Sequence, residues 1–114
     1  VEVPSILFLI PDLSNMIDFL SIGSNDLTQY LLASDREHQD LNIDFNNLYP
    51  SVVLAIKKII DDANQENIEI NFCGELAQNE KALKELSLLG IRNFSISGPS
   101  IPNCKEKIRK INLS

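Results

Sequence analysis

The sequence predicts an α/β fold with parallel strands, and three observations carry that expectation. Short β-rich runs alternate with segments of helical periodicity, and Gly, Pro and Asn punctuate the joins between them. The run Phe19 to Ile22 is almost continuously apolar, as expected for a parallel strand covered on both faces. Together these predict four strand–helix units.

In order, the first strand is a stub, Val1 to Val3, followed by a helix interrupted around Pro11. The second strand is Phe19 to Ile22, leading into a short apolar helix that ends before Arg36. Next comes the longest helix, about Ser51 to Gln65, in which Val52, Val53, Ile56, Ile59, Ile60 and Ala63 form one apolar stripe. The third strand, Ile68 to Cys73, alternates Ile68, Ile70 and Phe72 with polar Glu69 and Asn71. Asn79 is placed to cap a helix whose Leu83, Leu86 and Leu89 share a face and whose stop is Gly90. The fourth strand is Phe94-Ser95-Ile96, and Ser100 with Pro102 opens a last helix with Ile101, Ile108 and Ile111 directed inward. Either a small doubly wound sheet or part of a (β/α)8 barrel satisfies this order. A complete barrel takes roughly 200 residues or more, so 114 residues supply about half of one.

Composition narrows the function classes. With 44% hydrophobic and 23% charged residues the chain reads as globular rather than disordered. Its longest apolar run, Ile6 to Ile10, is far short of a membrane span, and Val1-Glu2-Val3-Pro4 lacks the basic start of a secretory signal. A net charge of −6 argues against nucleic acid as the main partner. The Lys105, Lys107, Arg109 and Lys110 cluster reads as cations placed favourably at a helix C-terminus. Cys73 and Cys104 have no CxxC spacing, which points to a reducing, cytoplasmic setting. Because the chain starts at Val1, inside a predicted strand, it reads as a piece of something longer.

In parallel α/β proteins ligands bind beyond the carboxyl ends of the strands. Those ends present Glu2, then Gly23-Ser24-Asn25-Asp26, then Cys73-Gly74-Glu75, then Ser97-Gly98-Pro99. Glu2 and Asp26, on neighbouring strand ends, are a hard-oxygen pair able to share Mg²⁺ with water and a phosphorylated substrate. The alternative is that Asn25 or Asp26 caps the following helix. Glu2 is otherwise a solvated carboxylate, and Cys73 a small buried apolar group rather than a reactive thiol. Arg36 either pairs with Asp35 or Asp40 on the surface or grips a phosphate, and His38 reads as a surface loop residue.

Five segments in this order carry a further signal: Val1-Glu-Val-Pro4, Asp18-Phe-Leu-Ser-Ile-Gly-Ser-Asn-Asp-Leu-Thr-Gln-Tyr30, Asp35-Arg36, Pro50-Ser51-Val52 and Cys73-Gly-Glu-Leu-Ala77. They closely resemble the C-terminal barrel domain of the phosphoenolpyruvate-utilising enzymes, and within that family its protein phosphotransferase branch. The phrase Phe-Leu-Ser-Ile-Gly-Ser together with the ending Ser-Ile-Ser-Gly-Pro-Ser resembles the nitrogen-related side of the branch. The resemblance implies the C-terminal half of a (β/α)8 barrel that binds phosphoenolpyruvate and Mg²⁺ and passes the phosphoryl group to a protein histidine, releasing pyruvate. It implies Glu2 and Asp26 as metal ligands, and Asn25 with the Gly23, Ser24 and Asp26 turn as holders of substrate oxygens. It further implies Arg36 as a contact of the phosphoryl group and Cys73 as proton donor to the enolate carbon.

Two departures stand out. Glu37 and His38 replace the family's Gly-Asn after Asp-Arg, and Gln78 stands where Gly usually follows Cys-Gly-Glu-Leu-Ala. His38 does not match the phosphoryl-carrying histidine, and the early barrel strands, further substrate arginines and phosphohistidine domain fall outside this sequence. The partners implied are the remainder of such an enzyme and a histidine phosphocarrier protein. A lone half-barrel predicts an open sheet edge, an exposed apolar inner face and hence self-association or a dimer. Three readings follow: part of a phosphotransferase, a ligand-binding fragment without transfer, or a non-catalytic remnant.

Overall fold

A computed structural model describes residues 1–34 and 44–113. Arg36 and His38, together with Asp35, Glu37 and Asp40, lie outside the described residues. Three parallel strands form one sheet in the order β1 (Phe19–Gly23), β2 (Glu69–Cys73) and β3 (Asn93–Ser95). The helices are α1 (Ile10–Leu13), α2 (Ser24–Leu31), α3 (Pro50–Gln65), α4 (Glu80–Leu89) and α5 (Ile101–Lys110). No helix among the described residues is long and apolar enough to cross a membrane.

The expected first strand is a correction. Val1 to Val3 is not a strand, because only its start reaches β1: the Val1 ammonium donates to the Ser21 carbonyl, and the Gly23 amide donates to the Val1 carbonyl at 3.0 Å. Beyond Val3 the chain turns into a 3₁₀ segment, Pro4–Phe8, and Pro11 sits in the first turn of α1 rather than breaking a longer helix. The two hydrogen bonds nevertheless hold Glu2 beside the end of β1.

Helices cover one face of the sheet. Leu20, Ile22 and Phe72 alternate into a core with Val52, Ile56, Ile59, Ile60 and Ala63 of α3 and Ala82 and Leu86 of α4. Phe72 and Phe94 meet edge to face, 6.0 Å between ring centroids, on that same side. The α3 stripe is as expected except that Ala55 is buried in place of the half-buried Val53. Burying a Val, Leu or Ile side chain in such a core contributes about 1.5–3 kcal/mol.

The opposite face corrects two expectations, coverage of β1 on both sides and an apolar inner surface. It presents Ser21, Glu69, Asn71, Cys73, Asn93 and Ser95, with the apolar exception of Phe19, which is 63% exposed. The physical reason lies in the pleat. Odd-numbered residues of these strands share one face, and beyond Phe19 that face carries mostly polar side chains. The parallel register sets Gly23 against Cys73, so the turns that follow β1 and β2 emerge side by side.

Local signals set the helix ends. Asn79 accepts a hydrogen bond from the Ala82 amide at 3.1 Å, and Gly90 closes α4 in the left-handed region at φ 119°. In α5 only Cys104 is buried, whereas Ile101 and Ile108 are 39% and 41% exposed, contrary to the inward placement expected of them. They line an open groove between α5 and β3, since α5 packs on α4 rather than across the sheet. Within the basic cluster Lys107 donates to the Gln78 carbonyl at 2.8 Å and Lys110 pairs with Glu106 at 2.8 Å.

Candidate functional site

The site grows out of the join between β1 and α2. The helix begins at Ser24, one residue after the strand ends, with Gly23 at the N-cap and no side chain capping the turn. Asn25 and Asp26 therefore stand inside the first helical turn, and neither is the cap. Their side chains are left for the space above the sheet, which settles against the capping alternative.

Two glycines make the cleft possible. A Cβ on Gly23 would lie 2.5 Å from Glu2 Cγ and 2.8 Å from Glu2 Oε1, so the Glu2 side chain lies directly over this residue. Gly74 has φ 137° and ψ 171°, a conformation essentially restricted to glycine, and a Cβ there would stand 2.0 Å from Ser24 Oγ. The Ser24 hydroxyl uses that space to donate to the Cys73 carbonyl at 3.2 Å, tying the start of α2 to the end of β2.

Glu2, Gly23, Ser24, Asn25, Asp26, Cys73 and Gly74 line one cleft at the carboxyl ends of β1 and β2. A second cleft shares Asn25 and Gly74 with it and extends past Glu75 and Gln78 to Ser95 and Ser97, at the end of β3. The structure thus brings together every site residue expected from the sequence except Arg36, which lies outside the described residues. Ser97 joins the second cleft, while Gly98 and Pro99 belong to the 3₁₀ turn that follows.

Glu2 is exposed and Asp26 half-buried. Asn25 Oδ1 is buried without a hydrogen-bond partner among the described residues. Leaving such a carbonyl unsatisfied costs about 1–3 kcal/mol, so it is open to a hydrogen-bond donor entering the cleft. Cys73 is half-buried, its Sγ 3.4 Å from the Ile22 carbonyl to which it donates and 3.6 Å from Ser21 Oγ, which donates to it.

One set of contacts in this region carries no signal in the sequence. Asn71 Nδ2 donates to Ser21 Oγ at 3.2 Å and to Ser95 Oγ at 2.9 Å, spanning all three strands. In the sequence Asn71 is one polar position of an alternating strand, indistinguishable from a solvated residue.

The electrostatics define what such a cleft can bind. Among the described residues neither cleft is lined by Lys or Arg, whereas Glu2, Asp26 and Glu75 bring carboxylates. An anionic ligand would be repelled unless a cation stood between. Two carboxylates are too few for an all-protein cage, and among the described residues no group of three His, Cys, Asp or Glu is placed to hold a metal. They do suit Mg²⁺, which keeps several waters and binds through one or two carboxylates plus substrate phosphate.

A parallel sheet with helices on one face and a carboxylate-bearing cleft at its strand ends defines an α/β domain whose candidate ligand site lies where parallel sheets bind. The chain belongs to the family of PEP-utilising enzymes, matching its PEP-binding domain over residues 1–113. It is 42% identical over 113 residues to the phosphoenolpyruvate-protein phosphotransferase of Haemophilus influenzae, covering 99% of this chain and 20% of that protein. It is 40% identical over 114 residues to the protein of the same name from Buchnera aphidicola, covering 100% of this chain and again 20% of the relative. The Salmonella typhimurium protein named phosphoenolpyruvate-dependent phosphotransferase system is 38% identical over 112 residues, 98% of this chain and 15% of that one. The chain therefore spans between 15% and 20% of the length of these relatives.

Proposed function

We propose that this chain supplies the metal- and substrate-binding strand ends of a phosphoenolpyruvate-protein phosphotransferase, as the C-terminal half of a (β/α)8 barrel. The observation that supports it most is the convergence of Glu2, Asn25, Asp26 and Cys73 on one cleft, with Asn25 Oδ1 buried and unpartnered among the described residues. Family membership and relatives named as phosphotransferases favour phosphoenolpyruvate as the substrate and a histidine phosphocarrier protein as the eventual partner.

In this reading Glu2 and Asp26 hold Mg²⁺, and the metal supplies positive charge against the phosphate and carboxylate of the substrate. The first turn of α2, Ser24 to Asp26, lines the same cleft, and its main-chain amides donate to substrate oxygens in this reading, as helix N-termini do for anions. Asn25 positions the substrate through its amide. Arg36 contacts the phosphoryl group. Cys73, at the end of β2, delivers a proton to the enolate carbon once the phosphoryl group has left for the acceptor histidine. The remaining barrel strands, further cationic groups and the phosphohistidine domain come from the rest of the enzyme, in the cytoplasm. Association through the free edge of β3 completes the sheet.

The test is amide NMR of the 114-residue chain. Adding Mg²⁺ together with phosphoenolpyruvate is expected to shift Glu2, Asn25 and Asp26 and leave α5 unmoved. A dispersed spectrum unchanged by both ligands would overturn the site.

A further inference from the structure

We propose that Ser21, held by Asn71, is the positioning residue for the Cys73 thiol, a role that rests on the reading of Cys73 as proton donor given above. The hydrogen bonds run in one order. Asn71 Nδ2 can only donate, so at 3.2 Å Ser21 Oγ must be the acceptor. That leaves the single Ser21 hydroxyl proton for Cys73 Sγ, 3.6 Å away. Ser95 Oγ accepts from Nδ2 at 2.9 Å and donates to Oδ1 at 3.2 Å, engaging both ends of the Asn71 amide from β3. The thiol proton is in turn directed at the Ile22 carbonyl, 3.4 Å from Sγ. The chain Ser95, Asn71, Ser21, Cys73 therefore crosses β3, β2 and β1 on the open face and ends on sulfur.

The chemistry gives this order a purpose. When Cys73 protonates the enolate carbon, the S–H bond breaks, a C–H bond forms, and the electron pair of the broken bond stays on sulfur. The enolate oxygen's charge is used in forming the carbonyl of pyruvate, so the negative charge passes to Sγ. A hydroxyl already aimed at Sγ stabilises that thiolate without reorganisation. Ser21 touches neither substrate nor metal in this scheme and acts only through Cys73.

The inference is tested on the 114-residue chain by the S–H stretching band of Cys73, with the buried Cys104 as internal reference, and by the rate of Cys73 alkylation with iodoacetamide. Ser21→Ala is expected to shift the Cys73 band, leave the Cys104 band in place, and slow alkylation about fivefold, the loss of one net hydrogen bond to sulfur. Ser21→Thr restores both, and Asn71→Ala shifts the Cys73 band in the same direction because the hydroxyl loses its anchor. A Cys73 band and rate unchanged in Ser21→Ala would overturn the proposal. Should that variant also disturb Cys104, Asn71→Ala decides, and an unshifted Cys73 band there overturns it. The proton-donor reading fails separately, if Cys73→Ala leaves pyruvate release by the complete enzyme unaffected while the band shifts are as expected.

Discussion

The Ser24 hydroxyl occupies the space that a side chain on Gly74 would need: an added Cβ would stand 2.0 Å from Ser24 Oγ, and from there the hydroxyl reaches the Cys73 carbonyl at 3.2 Å. One contact thus joins the strand that carries the thiol to the helix that carries Asn25 and Asp26. Gly74→Ala is expected to destabilise the fold by about 1–3 kcal/mol from the backbone conformation alone, with the clash added. Urea unfolding of the chain checks it, and a midpoint equal to wild type would contradict the assignment of Gly74 to this conformation.

Asp26 and Cys73 line the same cleft but are given different tasks. In the complete enzyme Asp26→Ala is expected to abolish metal-dependent turnover, because Glu2 alone leaves the cation one carboxylate. Cys73→Ala should leave Mg²⁺ binding intact and slow pyruvate formation. Metal titration and turnover measured on both variants separate the two roles, and undiminished Mg²⁺ dependence in Asp26→Ala would refute the metal assignment.

Asn79 Oδ1 caps α4 through the Ala82 amide at 3.1 Å. Asn79→Ala is expected to cost ~1 kcal/mol and Asn79→Ser much less, since a hydroxyl serves the same donor. Denaturant midpoints of the two variants give the comparison.

Burial pushes the Cys104 thiol above its ordinary value of 9.0, against a smaller opposing pull from Lys107. Below that value both folded and unfolded chains keep the proton, and the stabilisation is fully present. Above it the unfolded chain loses its proton first, so stability falls as pH rises through the interval up to the raised native value. Cys104→Ala should flatten this alkaline slope. Thermal melts between neutral and strongly alkaline pH measure it, and an identical slope in the variant would argue against a buried neutral thiol.

Much of the candidate site is legible residue by residue. The motif segments name Glu2, Asn25, Asp26 and Cys73, and strand ends are where a parallel sheet binds. Nothing local, however, could say whether Asn25 and Asp26 cap α2 or face the cleft. That depended on the helix starting at Ser24, immediately after β1. The contacts among Ser21, Asn71 and Ser95 are not legible for a similar reason, since hydrogen bonds between three strands depend on register, and register is a long-range property.

By itself the sequence determined the α/β class, the approximate bounds of β1, β2 and β3, the α3 stripe, the Asn79 cap and the Gly90 stop, all of which arise from interactions within a few residues. Tertiary structure alone decided which face of the sheet is buried, the exposure of Ile101 and Ile108, and the placing of Glu2 over Gly23. These are outcomes of packing between segments tens of residues apart. They are set by where α3 and α4 cover the pleat, which periodicity in any one segment does not encode.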